Sequence, residues 1–258
     1  MKFTKMEGLG NDFVVIDGPR HLTADQIAAM CDRRRGVGSD GVLVVSPVSD
    51  ESVRMEYFNA DGGAAEMCGN GLRCVAKRAV ETGLVQETAF MVETAVGLRR
   101  VSVLDDDRVR VELGPIDASA SDLEVGGLKV RTVDVGNPHA VLFVDDPAEA
   151  DVAGIGVALE TNPKFPSGTN VEFVRILDDG HIEMRVWERG VGETLACGTG
   201  AAAVVAAATA MNRSDPTATV HLPGGSLDVE IDEGIAWLTG PARTVFSGRW
   251  DLSTGRTE

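Results

Sequence analysis

Lysine is nearly missing from this chain. Among 258 residues only Lys2, Lys5, Lys77, Lys129 and Lys164 are lysines, so arginine supplies 19 of the 24 cationic side chains (24 minus 5). Set against 40 aspartates and glutamates, they leave a formal charge of -16, which would repel the phosphates of nucleic acid and of an anionic membrane. A small soluble substrate suits such a surface better. Histidine is scarce and scattered, at His21, His139, His181 and His221, and the cysteines, Cys31, Cys68, Cys74 and Cys197, form no Cys-x-x-Cys. Neither a zinc site nor a disulfide framework is indicated, and a Gly-rich phosphate loop is lacking too. No metal, pyridoxal phosphate, nucleotide or other cofactor is therefore expected. The N-terminus "MKFTKMEGLGND" lacks the apolar run of a signal peptide, and the longest apolar stretch, "AAAVVAAATAM", is too short and too alanine-rich to span a bilayer. A cytoplasmic protein is expected.

What the chain does contain is an echo of itself. "MEYFNADGGAAEMCGNGLRC" from Met55 is answered by "MRVWERGVGETLACGTGAAA" from Met184, and a shift of 129 residues aligns Phe58 with Trp187, Gly63 with Gly192, Cys68 with Cys197, Gly69 with Gly198 and Gly71 with Gly200. Two further pairs lie upstream at nearly the same offset: "GNDFVVID" from Gly10 with "GNPHAVLFVD" from Gly136, and "GSDGVLVV" from Gly38 with "GTNVEFVRI" from Gly168. A period this long points to two similar domains related by a pseudo-twofold axis, since solenoid repeats are much shorter. With 43% hydrophobic residues the chain can bury one large core or two small ones.

Between the landmarks lie runs that alternate or are rich in Val, Ile and Thr, among them "FVVID", "VLVVS", "VRMEYF", "FMVET", "RRVSVL" and "RVRVEL" in the first half and "KVRTVDV", "HAVLFV", "VEFVRI", "HIEMRVW", "SLDVEID" and "IAWLTG" in the second. These read as strands. Helices are expected near 72–80 and 201–211, directly after the Cys-Gly-x-Gly motifs, and after Thr23, whose capping box with Gln26 opens "TADQIAAMCDRR". The expected fold is a strand-rich α+β protein of two halves, each wrapping its sheet around the helix that follows its cysteine. The "AAAVVAAATAM" helix is apolar nearly all round and must be buried. The expected domains are residues 1–117 together with 244–258, carrying Cys68, and residues 118–243, carrying Cys197.

A cysteine before Gly-x-Gly at the head of a buried helix sits where unpaired backbone N–H groups converge. Those groups and the helix dipole favour a thiolate and can hold a carboxylate, and glycine lets a ligand approach closely. Two such thiols acting on opposite faces of one carbon form a two-base device: one removes the α-proton of a carboxylate-bearing substrate, the other delivers a proton to the far face, and the centre inverts. Cys31 and Cys74 lie within expected helices without such flanks and read as small buried hydrophobes.

The segments "GLGNDFVVID", "FNADGGAAEMCGNGLRC", "GNPH", "GTNVEF" and "ERGVGETLACGTGAAA" together resemble the diaminopimelate epimerase family, over a span from Gly8 to about Ala203. The resemblance implies cofactor-independent interconversion of LL- and meso-diaminopimelate, on the route to lysine and peptidoglycan. It implies that Cys68 and Cys197 are the acid/base thiols and that Gly69, Asn70, Gly198 and Thr199 take the α-carboxylate. Asn11, Asn59, Asn137, Asn170, Glu188 and Arg189 would supply the remaining contacts to the ammonium and carboxylate groups of a diamino diacid. His139, within "GNPH", is either family-like or a structural hydrogen-bond donor. One departure is Glu7, where the family is expected to read Met-His-Gly-Leu-Gly-Asn.

Three other readings compete. A proline or hydroxyproline racemase on the same fold is expected to carry Gly-His after the first cysteine, in place of "CGNG", and to lack "ERGVGET". A thiol redox protein would pair Cys68 with Cys197, and a non-catalytic amino-acid binding protein would not need both thiols. The expected partner is a small amino-acid substrate, with no nucleic acid and no membrane; a homodimer is left open.

Overall fold

The alternating runs of the first half do become strands, and the order in which they pair is set by what connects them. In the computed structural model, residues 1–117 and 121–252 and the backbone of 256–257 are described. The expected boundary at 117/118, and 253–255 and 258 of the returning segment, fall at or outside the limits of the described residues. The chain divides into two compact units, Met1–Val111 with Gly240–Glu258, and Glu112–Thr239.

The first unit runs β1 (Lys2–Gly8), β2 (Asn11–Asp17), α1 (Ala24–Cys31), β3 (Gly41–Ser49), β4 (Ser52–Asn59), β5 (Ala64–Ala65), α2 (Gly69–Glu81), β6 (Ala89–Thr94), β7 (Gly97–Val103) and β8 (Arg108–Pro115), which continues into the second unit. Tight turns join β1 to β2 and β3 to β4, and these pairs are antiparallel. Where a helix intervenes the neighbours are parallel, β2 with β3 across α1 and β4 with β6 across α2, as expected of strands that need a crossover to return in the same direction. β6 to β8 complete an antiparallel meander.

The second unit repeats this order. It contains β9 (Asp122–Val125), β10 (Leu128–Asp134), β11 (Pro138–Phe143), α3 (Val152–Glu160), β12 (Asn170–Asp178), β13 (His181–Glu188), β14 (Gly192–Thr194), α4 (Gly198–Ala210), β15 (Thr217–Leu222), β16 (Gly225–Asp232) and β17 (Ile235–Pro241). β10 and β11 pair antiparallel, β11 and β12 parallel, β12 and β13 antiparallel, β13 and β15 parallel, and β15 to β17 antiparallel. Each unit gains one outer strand beside its first. β9 lies beside β10, and β18 (Arg243–Asp251), from the returning segment, lies beside β1.

Each sheet wraps a central helix. α2 packs on β1, β2, β3, β4 and β7, and α4 on β10 to β13, β15 and β16. α2 buries Leu72, Cys74, Val75, Ala76 and Ala79, with Lys77 and Arg78 only partly covered. α4 is buried without a break from Gly200 to Ala208, as its apolar circumference requires. The capping box expected at Thr23 is present, with Gln26 N–H donating to Thr23 Oγ1 at 3.2 Å and Thr23 N–H donating to Gln26 Oε1 at 3.0 Å.

One helix was not expected. α3 reads Val-Ala-Gly-Ile-Gly-Val-Ala-Leu-Glu, and its two glycines argue for a loop. It is held by the side chain of Asp151, which accepts from Gly154 N–H at 3.0 Å. Trp187 lies where Gly156 has no side chain, so closely that a Cβ there would sit 2.5 Å from the indole Cγ. Gly156→Ala should therefore destabilise the fold by about 1–3 kcal/mol through overpacking. Urea melts should show a lower midpoint with an unchanged slope; an unchanged midpoint would refute the contact.

Candidate functional site

In the first unit β4 ends where β2 and β3 begin, and the head of α2 arrives at the same place. Cys68 is the N-cap of α2, its backbone extended (φ -139°, ψ 123°), and its carbonyl accepts the first helical bond from Leu72 N–H at 2.8 Å. The half-buried thiol donates to Asn11 Oδ1 at 3.4 Å, and Asn70 Nδ2 donates to the same oxygen at 3.2 Å. Behind Asn70 lies Arg73, with no exposed surface, donating to Asn70 Oδ1 (2.9 Å), Gly69 O (3.4 Å) and Pro241 O (3.1 Å). Burial pulls the Arg73 pKa down, while the charges of Cys74, Cys68 and Glu7 work to keep it protonated.

Asn11 is also held from its other end. Its Nδ2 donates to Asp40 Oδ2 at 2.8 Å; Arg33 bridges Asp40 and Asp12, each at 2.7 Å, and the buried Lys5 ammonium meets Asp12 at 2.5 Å. Burial alone would raise the Asp12 pKa, but hydrogen bonds from Arg33 and Lys5 outweigh it and hold Asp12 at about 2. Glu7, the residue that departs from the expected pattern, accepts from Gly10 N–H at 2.9 Å and closes the turn that carries Asn11. Asn59 is exposed at the end of β4, where its backbone closes a turn with Gly62 and Gly63.

The second unit assembles its own cluster at the corresponding end of its sheet. Cys197 is the N-cap of α4 (φ -128°, ψ 114°); its sulfur accepts from Gly200 N–H at 3.4 Å and lies 3.5 Å from Thr199 Oγ1. A Cβ on Gly200 would stand 2.9 Å from Glu172 Oε1 and 3.3 Å from Cys197 Sγ, so the second glycine of the motif makes room for both. Burial pushes the Cys197 thiol well up, and the carboxylates of Glu188 and Glu172 push in the same direction. Glu188 is itself raised by burial; it accepts hydrogen bonds from Thr194 Oγ1 and from Cys197.

Asn170 ties the rest together. Its Oδ1 accepts from Arg189 N–H and its Nδ2 donates to Pro138 O, both at 3.0 Å, so the starts of β11 and β12 and the residue after β13 are fixed to one another. The Arg189 guanidinium donates to Ser167 O at 2.8 Å. Asn137 Nδ2 donates to Thr199 Oγ1 at 3.4 Å, and Asn137 Oδ1 faces His139 Nε2 at 3.0 Å. The other ring nitrogen of His139, Nδ1, lies 2.6 Å from Glu172 Oε1, and both side chains are wholly buried.

Asn11, Cys68, Gly69 and Asn70 thus come together in the first unit, and Asn137, Asn170, Glu188, Arg189, Cys197, Gly198 and Thr199 in the second. Arg73, Asp40, Glu172 and Thr194 were not singled out by sequence, although Glu172 carried a signal: a carboxylate set between the apolar Val171 and Phe173 in a strand-like run. Cys31 and Cys74 are buried in helices, with Cys74 pushed up to about 12 by burial, as suits packing residues. Among the described residues, no group of three His, Cys, Asp or Glu side chains could hold a metal ion, and no helix is long and apolar enough to cross a membrane.

Comparison with known proteins adds the following. The family profile described as Diaminopimelate epimerase matches residues 3–118 and 131–245. Diaminopimelate epimerase of Synechococcus elongatus is 43% identical over 277 residues, covering 98% of this chain and 99% of that protein. Its counterpart from Desulforudis audaxviator is 44% identical over 275 residues, with 97% and 99% covered. Among solved structures, a hydroxyproline epimerase from Agrobacterium vitis superposes with a TM-score of 0.72 at 20% identity, covering 96% of this chain and 91% of its own. A phenazine biosynthesis protein of the PhzF family from Enterococcus faecalis reaches 0.74 at 14%, covering 95% and 97%. At such identities these two structures share the fold.

The charged cluster behind Asn11 has a measurable signature. Because the Asp12 pKa is depressed in the folded chain, its stabilisation is present above the ordinary carboxylate value and fades as pH falls through about 2. Asp12→Asn should cost about 1–2 kcal/mol at pH 7, and the gap to wild type should close between pH 5 and pH 2. Urea unfolding across that range measures it; a gap independent of pH would show that Asp12 is not held ionised by Lys5 and Arg33.

Proposed function

The chain belongs to the diaminopimelate epimerase family, and from that premise we propose that it interconverts LL- and meso-diaminopimelate with Cys68 and Cys197 as its two acid/base groups. The observation that carries this reading is the repeated placement of a cysteine as the N-cap of a central, buried helix, once in each unit. That position lies beside the N–H groups of the first turn, one of which donates to Cys197 Sγ; such groups stabilise a thiolate and can hold the α-carboxylate of a bound amino acid. Cys68 followed by Gly-Asn, and the identity to curated diaminopimelate epimerases over nearly the whole chain, favour this reading over a proline-type racemase.

Proton transfer runs as follows. A thiolate takes the α-proton, the C–H electron pair is left on the α-carbon and spreads into the carboxylate, and the opposing thiol protonates the other face. One sulfur ends as thiol and the other as thiolate, and the return reaction uses them in exchanged roles. Burial and two carboxylates hold Cys197 in the thiol form, which suits the proton donor. Cys68, only half-buried, interacts electrostatically with the Arg73 guanidinium. Having given up its proton, Cys197 is the thiolate from which the return reaction starts, with Cys68 then holding the proton; Glu188, its own pKa raised by burial, accepts a hydrogen bond from the Cys197 thiol in the resting arrangement.

Gly69, Asn70, Gly198 and Thr199 bind the α-carboxylate in this reading, and Asn11, Asn59, Asn137, Asn170, Glu188 and Arg189 bind the remaining polar groups. The two units serve as the two domains, and the reaction lies in the cytoplasm on the route to lysine and peptidoglycan precursors.

In deuterated water, wild type acting on LL-diaminopimelate should place deuterium at the inverted α-carbon. Cys68→Ala and Cys197→Ala should each lower kcat/KM by at least about 10²-fold, the usual scale for a general acid or base, whereas Cys31→Ala should leave turnover intact. Either catalytic variant turning over at the wild-type rate would overturn the two-thiol assignment. The distal groups should decide substrate choice. Proline, which lacks the whole distal half, should be poorer by roughly four to five orders of magnitude, and comparable turnover of proline and LL-diaminopimelate would overturn the substrate assignment.

A further inference from the structure

Asn11 and Asn137 occupy equivalent places in the two repeats, each following the glycine at the start of its landmark, yet they are anchored by groups of opposite hydrogen-bonding character. Asn11 gives its amide nitrogen to the Asp40 carboxylate, so its oxygen is turned to Cys68 and Asn70. Asn137 meets a ring nitrogen of His139 with its oxygen, so its amide nitrogen is turned to Thr199. The anchor decides which pole of the amide is presented.

For His139 to serve as that anchor, Nε2 must carry a proton. Nδ1 must carry one too, because an ionised Glu172 can only accept. Only the imidazolium donates from both nitrogens. In a place with no solvent, a lone carboxylate or a lone imidazolium would be costly, whereas the 2.6 Å pair is neutral as a whole. The charged and titratable groups that face the pair are Glu188, which follows the register of β13, and Cys197 at the head of α4; both feel the charge of Glu172. Without the Glu172 carboxylate the ring would hold a single proton. A ring protonated at Nδ1 would leave a lone pair at Nε2, and the Asn137 amide would turn over to donate to it. The first repeat has no such device: Leu43 aligns with Glu172 and Phe13 with His139.

We propose that Glu172 is a positioning residue of the epimerisation site: by holding His139 as the imidazolium it locks Asn137 with its amide nitrogen turned toward the Cys197 loop. The second half then offers an N–H donor, suited to a substrate carboxylate, where the first half offers an oxygen, suited to a substrate ammonium. This rests on the function proposed above only insofar as Asn137 touches substrate. Glu172 itself acts through His139 and touches none.

Two measurements on this chain test it. Long-range 1H–15N correlation spectra of labelled protein, with the His139 signals identified by their loss in His139→Gln, should show both ring nitrogens protonated in wild type at pH 8, above the usual histidine pKa of about 6.5. Glu172→Gln should show one lone-pair nitrogen at the same pH. In kinetics with LL-diaminopimelate, Glu172→Gln should raise KM by about 10- to 100-fold with a smaller effect on kcat, the scale of a lost hydrogen bond to a charged group. The same change made in an Asn137→Ala background should add nothing. A lone-pair nitrogen on His139 in wild type overturns the proposal, as does a Glu172→Gln effect that persists in full without the Asn137 amide. The wild-type spectrum needs neither a variant nor a substrate. Failure of the wild type to epimerise diaminopimelate therefore strikes the functional reading alone.

Discussion

A helix enclosed by a sheet must still satisfy the N–H groups of its first turn, and both candidate clusters of this protein follow from that requirement. α2 and α4 are wrapped by their own sheets, so their heads emerge only at one end, where strands finish and begin. Glycines before the first full turn keep those N–H groups open to a ligand, and the residue in the capping position faces them directly. Serine, threonine, aspartate and asparagine are the usual occupants. In this chain both positions are held by cysteine.

Once the heads are placed, strand register delivers the rest. The parallel pairing of β11 with β12 sets His139 beside Asn170 and puts Glu172 on the strand next to the histidine. The antiparallel pairing of β12 with β13 brings Glu188 and Arg189 to the level of Asn170. The first unit uses the same order of pairings to set Asn11, Gly41 and Asn59 at one end of its sheet. A shared backbone plan thus yields two clusters of similar outline.

Their chemistry differs because the side chains behind the outline differ. Arg73 stands behind Asn70 in the first unit, whereas Ala202 holds the matching place in α4. In the second unit Glu188 and Glu172 face Cys197, and their counterparts in the first repeat are Asn59 and Leu43. One sulfur accordingly lies near a cation and the other near two carboxylates.

The sequence by itself determined the pieces whose causes are local. Alternation revealed β2, β3 and β4 and their counterparts; the apolar circumference of α4 required burial; the Thr23 capping box marked α1; and the repeat marked Cys68 and Cys197. It failed where the cause lies elsewhere in the chain. α3 exists although its glycines argue against a helix, because Trp187 packs on Gly156, and β18, mostly exposed, is a strand because β1 pairs with it. Glu172 escaped notice because Asn170 to Val174 are all buried, so alternation could not say which neighbour its carboxylate meets. Only the tertiary structure decided which end of each asparagine amide is offered. An amide is nearly symmetric in shape and opposite in polarity at its two ends, and its orientation is set by partners 29 residues away for Asn11 and, through His139, 33 residues further along the chain for Asn137.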